Sequence, residues 1–192
     1  MGSWRNYCYI GAGFVHFLTM NYCFVTKITE SAPPAKKAVM RIMSPATGSV
    51  IQLSDAPSAL YRNRLLGEGV GIVLTKGEVF APFPLIVTAI NAAKGSLTAT
   101  TAKGLKLQFQ IGQPEQNQHG ERLQFHVKPG DKVAARHCLF TCDPLWMKQQ
   151  GLSPCLYFTL LNGKQLAAIQ CHSSGSIRAL EEPLFTLFAE PG

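Results

Sequence analysis

The sequence predicts an all-β fold, a sandwich or barrel built from short strands. Twelve prolines and 17 glycines are spread along the 192 residues and divide the chain into many short segments, a pattern typical of strands joined by tight turns. No long amphipathic helical pattern competes with this one, and only residues 143–150 favour a short helix. With 46% hydrophobic and 15% charged residues, the chain has enough apolar side chains for one folded core.

The clearest strand lies at residues 105–111. Apolar side chains occupy its odd-numbered positions and polar side chains its even-numbered positions, and this period of two predicts a half-buried strand. We expect Leu107 and Phe109 in the core and Gln108 and Gln110 on the outer face. A shift of one residue would turn every side chain to the opposite face, so these four side chains test the register.

Six further segments occur in a fixed order along the chain. They read Ser-Pro-Ala-Thr-Gly at 44–48, Leu-Ser-Asp-Ala-Pro at 53–57, Leu-Gly-Glu-Gly-Val-Gly-Ile at 66–72, Val-Phe-Ala-Pro at 79–82, Val-Lys-Pro-Gly-Asp at 127–131, and Ser-Pro at 153–154 followed by Asn162. Each segment alone is weak, because such turn sequences are common. In this order and spacing, across residues 40–162, the chain resembles the glucose-type enzyme IIA family of the sugar phosphotransferase system. The resemblance implies a flattened antiparallel β-sandwich or barrel.

The two histidine positions of that family are substituted here. Its active-site strand reads Gly-x-Glu-x-Leu-x-His-x-Gly, and the histidine carries a phosphoryl group; in the matching segment, residues 104–112, that place is Gln110. A second histidine lies in a Thr-x-His-Ala stretch, and counting back from Gly104 without gaps puts its place at Gly95. The acidic Gly-x-Asp-Thr that follows the active-site histidine is also lost, at residues 112–115. The resemblance therefore implies no catalytic residue, no metal and no cofactor.

These substitutions remove the chemistry of phosphoryl transfer. A phosphocarrier needs a neutral nitrogen that attacks phosphorus and leaves again, which imidazole does near neutral pH. The amide of Gln110 only donates and accepts hydrogen bonds, because its nitrogen lone pair is delocalised into the carbonyl. Gly95 offers no side chain to neutralise phosphoryl charge. The sequence predicts a degenerate enzyme IIA-like protein that binds or regulates partners, and not an enzyme.

Two other functions remain open. The chain would be an active phosphocarrier if another residue replaced the lost histidine, and His126, on the strand entering residues 130–131, is the candidate. Alternatively, the domain is a scaffold unconnected with sugar uptake. If family function is retained, the resemblance implies sugar-permease or HPr components as partners. Despite a net charge of +7, no basic run is interleaved with aromatic side chains, so we expect no nucleic-acid partner.

We divide the chain into an N-terminal extension (1–39), the enzyme IIA-like domain (40–162) and a C-terminal extension (163–192). Residues 7–25 contain no Asp, Glu, Lys or Arg. Three interpretations of this segment stay open. It associates with a membrane, it is a secretory segment, or it is a disordered arm or a gene-model artefact, the artefact arising if translation starts at Met20 or Met40. Residues 30–37 read as a linker. The resemblance implies a cytoplasmic protein, and residues 7–25 leave membrane association open.

Six cysteines are scattered along the chain and form no disulfide framework, so we interpret them as small buried hydrophobes. Cys138 and Cys142 lack zinc-finger spacing, and the Cys171-His172 pair has no second pair to complete a metal site. Beyond Asn162, residues 166–171 favour an added strand. The apolar run at 184–188 either packs on the core or docks on a partner.

Overall fold

The computed structural model describes residues 27–29, 38–115, 120–162, 166–172 and 175–189. Residues 7–25 and the linker at 30–37, on which several predictions depend, lie outside these ranges. The strands of the described ranges are β1 (Lys27–Thr29), β2 (Ala38–Met43), β3 (Gly48–Gln52), β4 (Glu68–Leu74), β5 (Glu78–Phe80), β6 (Leu85–Asn91), β7 (Ser96–Thr100), β8 (Lys106–Ile111), β9 (Leu123–Phe125), β10 (Lys132–Val133), β11 (Cys138–Cys142), β12 (Cys155–Leu160), β13 (Leu166–Cys171), β14 (Gly175–Ile177) and β15 (Pro183–Ala189). The helical elements are a 3₁₀ turn (Leu53–Asp55), α1 (Ala59–Arg62) and α2 (Pro144–Gln149).

Within the described part of the chain, these strands form three sheets. The largest has eight strands in the order β10-β6-β7-β8-β12-β4-β3-β14, a second has the order β1-β13-β15-β2, and the third the order β5-β11-β9. The paired strands run antiparallel except β1 and β13, which run parallel. The predicted all-β, largely antiparallel fold is confirmed.

The predicted short helix at residues 143–150 is α2. Asp143 is its N-cap and accepts a hydrogen bond from the Trp146 main-chain nitrogen at 2.9 Å, and Pro144 occupies the first turn, where its missing N–H costs nothing. Of the helices in the described ranges, none combines the length and the apolar character needed to cross a bilayer.

The main core lies between the eight-stranded and the four-stranded sheets. Phe158 of β12 connects the two layers, because its ring centroid lies 4.7 Å from that of Phe109 and 5.4 Å from that of Phe185. Phe185 belongs to β15, so the C-terminal residues build one wall of this core. The strand predicted at residues 166–171 is confirmed as β13, and the apolar run at 184–188 packs on the core.

Glycine lets β4 approach β12 closely. An ideal Cβ built on Gly69 would lie 2.1 Å from the main-chain oxygen of Phe158, far inside van der Waals contact. Gly71, two residues along on the same face, leaves room for the side chains of Ile51 and Cys155. This close approach accounts for the glycines of the segment at residues 66–72.

A smaller apolar cluster covers the outer face of the same sheet. It contains Leu53, Ala56, Tyr61, Cys155 and Tyr157, all almost fully buried. The rings of Tyr61 and Tyr157 stack with centroids 3.9 Å apart and an angle of 13° between their planes. Because of this cluster, the segment containing α1 lies over the outer face of β12, beside the strand that carries Gln110.

Candidate functional site

Gln110 lies near the end of β8, between two partner strands. Its Cα pairs with that of Ser96 in β7 and with that of Tyr157 in β12. Leu107 and Phe109 are fully buried, which confirms the predicted register. The predicted exposure of Gln110 is wrong, because only 2% of this residue is accessible to solvent.

The burial of Gln110 follows from what covers the outer face of the sheet. Its neighbour Tyr157 is capped by the ring of Tyr61, which α1 places over the sheet. Alternation along β8 indicates which face is the more apolar, but it does not report what packs on the other face. The sequence signal that indicates this cover is in β12, which reads Cys-Leu-Tyr-Phe-Thr-Leu and has apolar side chains on both faces. In the structure all six of its residues, Cys155 to Leu160, are buried. A strand that is apolar on both faces indicates that both faces are covered.

The side-chain amide nitrogen of Gln110 donates to two main-chain carbonyls. Its Nε2 donates to the carbonyl oxygen of Lys94 and to that of Ile111, the latter at 2.9 Å. The main-chain nitrogen of Ile111 in turn donates to the carbonyl oxygen of Gly95 at 2.9 Å. These bonds place Gln110 and Gly95, the two predicted histidine places, on adjacent hydrogen-bonded segments.

The turn that carries Gly95 has a conformation suited to glycine. Gly95 has a φ of 65°, in the left-handed region where a β-carbon is strained. Its nitrogen donates to the carbonyl of Ala92 at 3.1 Å, and the nitrogen of Lys94 donates to Asn91 Oδ1 at 3.1 Å. Two hydrogen bonds and a buried glycine thus fix the path between β6 and β7 beside Gln110.

The aromatic and thiol groups above Gln110 are held in their neutral forms. Burial raises the pKa of Tyr61 and that of Tyr157 well above the ordinary tyrosine value, and the nearby Cys155 and Glu115 raise both further. Burial also raises the pKa of the Cys155 thiol to about 12, so the thiolate, which is the nucleophilic form, is scarce at neutral pH. Among the residues that the structure describes, no hydrogen-bond partner reaches the buried Tyr61 hydroxyl.

A hydrogen bond at the rim closes this cover. Ser58, the N-cap residue of α1, is buried and donates from its hydroxyl to Glu115 Oε1 at 2.6 Å. Glu115 lies in the segment after β8 that departs from the acidic pattern of the resembled family. The bond joins the start of α1 to the segment that follows β8.

His126, the candidate substitute for the lost histidine, lies elsewhere in the sheet system. It is exposed, follows β9, and its Nε2 lies 3.3 Å from the Thr141 hydroxyl oxygen. β9 pairs with β11 in the three-stranded sheet, whereas Gln110 belongs to the eight-stranded sheet. No strand pairing connects the two residues.

The cysteines of the described ranges are free thiols at positions 138, 142, 155 and 171. Burial raises the pKa of Cys142 and that of Cys171 to about 12. No group of three or more His, Cys, Asp or Glu side chains within these ranges is arranged to hold a metal ion. Cys8 and Cys23 lie outside the described residues.

Comparison with known proteins assigns this chain to a family. Residues 40–166 match the profile of the family described as phosphoenolpyruvate-dependent sugar phosphotransferase system, EIIA 1. The chain is 27% identical to the PTS system glucose-specific EIIA component of Halalkalibacterium halodurans, over 82% of this chain and 90% of that protein.

Two larger relatives are matched over part of their length. The chain is 23% identical to the PTS system glucose-specific EIICBA component of Streptococcus pneumoniae, over 81% of this chain and 21% of that protein. It is 30% identical to the corresponding component of Staphylococcus saprophyticus, over 54% of this chain and 15% of that protein. The chain thus spans only a small part of these EIICBA components.

A solved structure supports the same assignment at the level of the fold. The glucose permease IIA of Mycoplasma capricolum superposes with a TM-score of 0.65 at 18% identity, over 77% of this chain and 94% of that one. The flattened β-sandwich predicted for this chain is therefore the fold of a known IIA structure. The profile match covers most of the chain, and the protein accordingly belongs to the type 1 enzyme IIA family of the phosphoenolpyruvate-dependent sugar phosphotransferase system.

Proposed function

We propose that this enzyme IIA binds protein components of the sugar phosphotransferase system without carrying a phosphoryl group itself. The observation that carries the proposal is Gln110 at the place of the phosphoryl-accepting histidine. Gln110 is buried, and its Nε2 donates to the main-chain carbonyls of Lys94 and Ile111. An amide nitrogen is not a nucleophile, and this one is also shielded from an incoming phosphoryl donor.

The phenol, thiol and hydroxyl groups of the cover described above do not replace the lost imidazole. The phenols of Tyr61 and Tyr157 stay neutral, because burial raises the pKa of each. The Cys155 thiol stays protonated for the same reason. The Ser58 hydroxyl donates a hydrogen bond to Glu115. Because Ser58 is buried, its oxygen offers no open face for attack on a bulky phosphoryl donor.

Partner binding is the part of family function that this architecture retains most directly. The relatives carry the names of glucose-specific EIIA and EIICBA components, so sugar-permease and HPr components are the partners to test. We propose a cytoplasmic location on the strength of family membership. We also propose that residues 40–162 carry this function and that residues 1–39 and 163–192 flank them, in keeping with the match over 40–166.

A binding experiment tests partner recognition. Full-length protein is titrated by calorimetry with HPr and with the cytoplasmic domains of a glucose-type permease, each alone. Saturable binding to one of them is the expected result. If neither binds while an authentic glucose-type enzyme IIA binds under the same conditions, the alternative of a scaffold unconnected with sugar uptake replaces this proposal.

A further inference from the structure

A cavity of about 480 Å³ lies at the opposite end of the β7–β8 hairpin from Gln110. Its lining includes Met40 of β2, Leu166 of β13 and Leu187 of β15 on the side of the four-stranded sheet. On the other side are Phe83 and the hairpin residue Leu105. The cavity thus lies between the β7–β8 hairpin of the eight-stranded sheet and the four-stranded sheet. Two strands of the four-stranded sheet, β13 and β15, begin at or beyond the end of the family match at residue 166.

The wall formed by the hairpin is held by specific hydrogen bonds. Gly104 has a φ of 79°, and its nitrogen donates to the Thr101 carbonyl at 2.9 Å, which closes a tight turn. Asn162 braces this turn from outside, because its Nδ2 donates to the Gly104 carbonyl at 2.7 Å and its Oδ1 accepts from the Lys106 nitrogen at 2.6 Å. These hydrogen bonds hold the wall in place without a ligand, and small-molecule sites are usually pre-formed in this way.

The chemistry of the lining selects a class of ligand. Met40, Leu105 and Leu166 are only partly buried against the core, so an apolar ligand would remove their remaining surface from water. Lys103, at the tip of the turn, is an exposed cation that lines the same cavity. The Thr101 hydroxyl, also in the lining, accepts a hydrogen bond from the Leu105 nitrogen at 3.0 Å, which leaves its own proton available to donate.

We propose that this cavity binds an amphipathic monocarboxylate, with an unbranched alkyl chain between the two sheets and the carboxylate at Lys103 and Thr101. Its volume falls within the range of about 300–1,000 Å³ that is usual for small-molecule sites. The apolar walls account for the alkyl chain, and Lys103, a cation in the described part of the lining, accounts for the carboxylate. This site is separate from Gln110, so it stands independently of whether the chain carries a phosphoryl group.

The test is a titration of the full-length protein with decanoate, decan-1-ol and decyltrimethylammonium, three ligands that share a chain length and differ in the charge of the head group. Calorimetry measures affinity, and methyl NMR of Met40, Leu105 and Leu187 reports the place of binding. We expect saturable binding with the order decanoate, then decanol, then the ammonium compound. Absence of saturable decanoate binding, or methyl shifts elsewhere only, would overturn the proposal.

Two pairs of variants locate the site. Leu105→Trp fills the cavity and is expected to weaken decanoate binding at least about tenfold, whereas Leu65→Trp, at an exposed leucine, leaves it unchanged. Lys103→Gln is expected to weaken decanoate about twofold to fivefold and leave decanol unchanged, with Lys76→Gln, in another turn, as its control. Equal effects of variant and control in either pair contradict the proposal. If Leu105→Trp does not fold, the lysine pair and the wild-type NMR shifts decide.

Discussion

The side-chain amide of Gln110 donates a hydrogen bond to the main-chain carbonyl of Lys94, which ties the place of the phosphoryl-carrying histidine to the turn that contains Gly95. The same amide also donates to the Ile111 carbonyl. A side chain that merely occupied an exposed position left by the histidine would not be expected to make hydrogen bonds to neighbouring main-chain carbonyls. Gln110 therefore has a structural role, because its amide links the end of β8 to the turn before β7.

Gln110→His alone is expected to restore little or no phosphoryl transfer. The new imidazole would lie at a position that is 98% buried in the present structure, next to Tyr157 and under the cover that Tyr61 provides. It would also lack a second histidine, and one positioned electrostatic partner is commonly worth about 10²–10³ in rate. The measurement is the initial rate of phosphorylation by phosphorylated HPr, with Gln108→His on the same strand as the matched control.

Adding Gly95→His to Gln110→His is expected to destabilise the protein and to restore little phosphoryl transfer. The φ of 65° at Gly95 costs a residue with a β-carbon about 1–2 kcal/mol. The free energy of unfolding of the double variant, measured by urea denaturation, should fall by about that amount relative to Gln110→His. A rate close to that of an authentic enzyme IIA, from either variant, would show that a complete site had been silenced by substitution alone.

The sequence predicted the fold class and the register of β8, but not the environment of Gln110. Alternating residues in one strand report the face that packs on the main core, and this was sufficient to place Leu107 and Phe109. The outer face depends on a contact between Tyr61 and Tyr157, which are far apart in sequence. No local pattern in β8 contains that information.

The C-terminal region shows the same limit. Residues 166–171 are predicted as an added strand, and they form β13. The choice between packing on the core and docking on a partner, for the run at 184–188, could not be made from the sequence, because an apolar strand satisfies either. Pairing of β15 with both β2 and β13 places Phe185 against Phe158, and this tertiary pairing decides the question.

Tyr61→Phe is expected to stabilise the protein by about 1 kcal/mol. The buried Tyr61 hydroxyl has no hydrogen-bond partner within the described ranges, and a buried polar group in that state costs about 1–3 kcal/mol. Phenylalanine would retain the ring that stacks on Tyr157. Thermal and urea unfolding measure the change. The matched control is Leu65→Ala at an exposed position, which should change stability little. A loss of stability in Tyr61→Phe would reveal a partner for the hydroxyl.

Stability is expected to fall steeply between about pH 9 and pH 12. Burial raises the pKa of Cys155 from 9.0 to about 12, and it raises that of Tyr61 and of Tyr157 above 10.0. The unfolded chain releases these protons first as the pH rises, so the folded state loses stability by up to about 1.4 kcal/mol per pH unit for each group. Well below pH 9 these groups are protonated in both the folded and the unfolded state, so stability no longer changes with pH on their account.

The double variant Tyr61→Phe with Tyr157→Phe removes two of these groups and isolates their share. The free energy of unfolding, measured in urea at intervals from pH 8 to pH 11, should decline more gently above pH 10 in the double variant than in the wild type. Identical slopes in the two proteins would mean that the tyrosines titrate alike in the folded and unfolded states, and that they are not buried as described.

The absence of phosphoryl carriage is tested most directly by labelling. Full-length protein is incubated with ³²P-phosphoenolpyruvate, enzyme I and HPr, with an authentic glucose-type enzyme IIA as positive control, and phosphate that is labile in acid and stable in base is measured. Because Gln110 replaces the histidine, no such label should appear on this chain while the control is fully labelled. Label of that kind on this chain would contradict the account, and its loss in His126→Ala would identify the residue that carries the phosphoryl group.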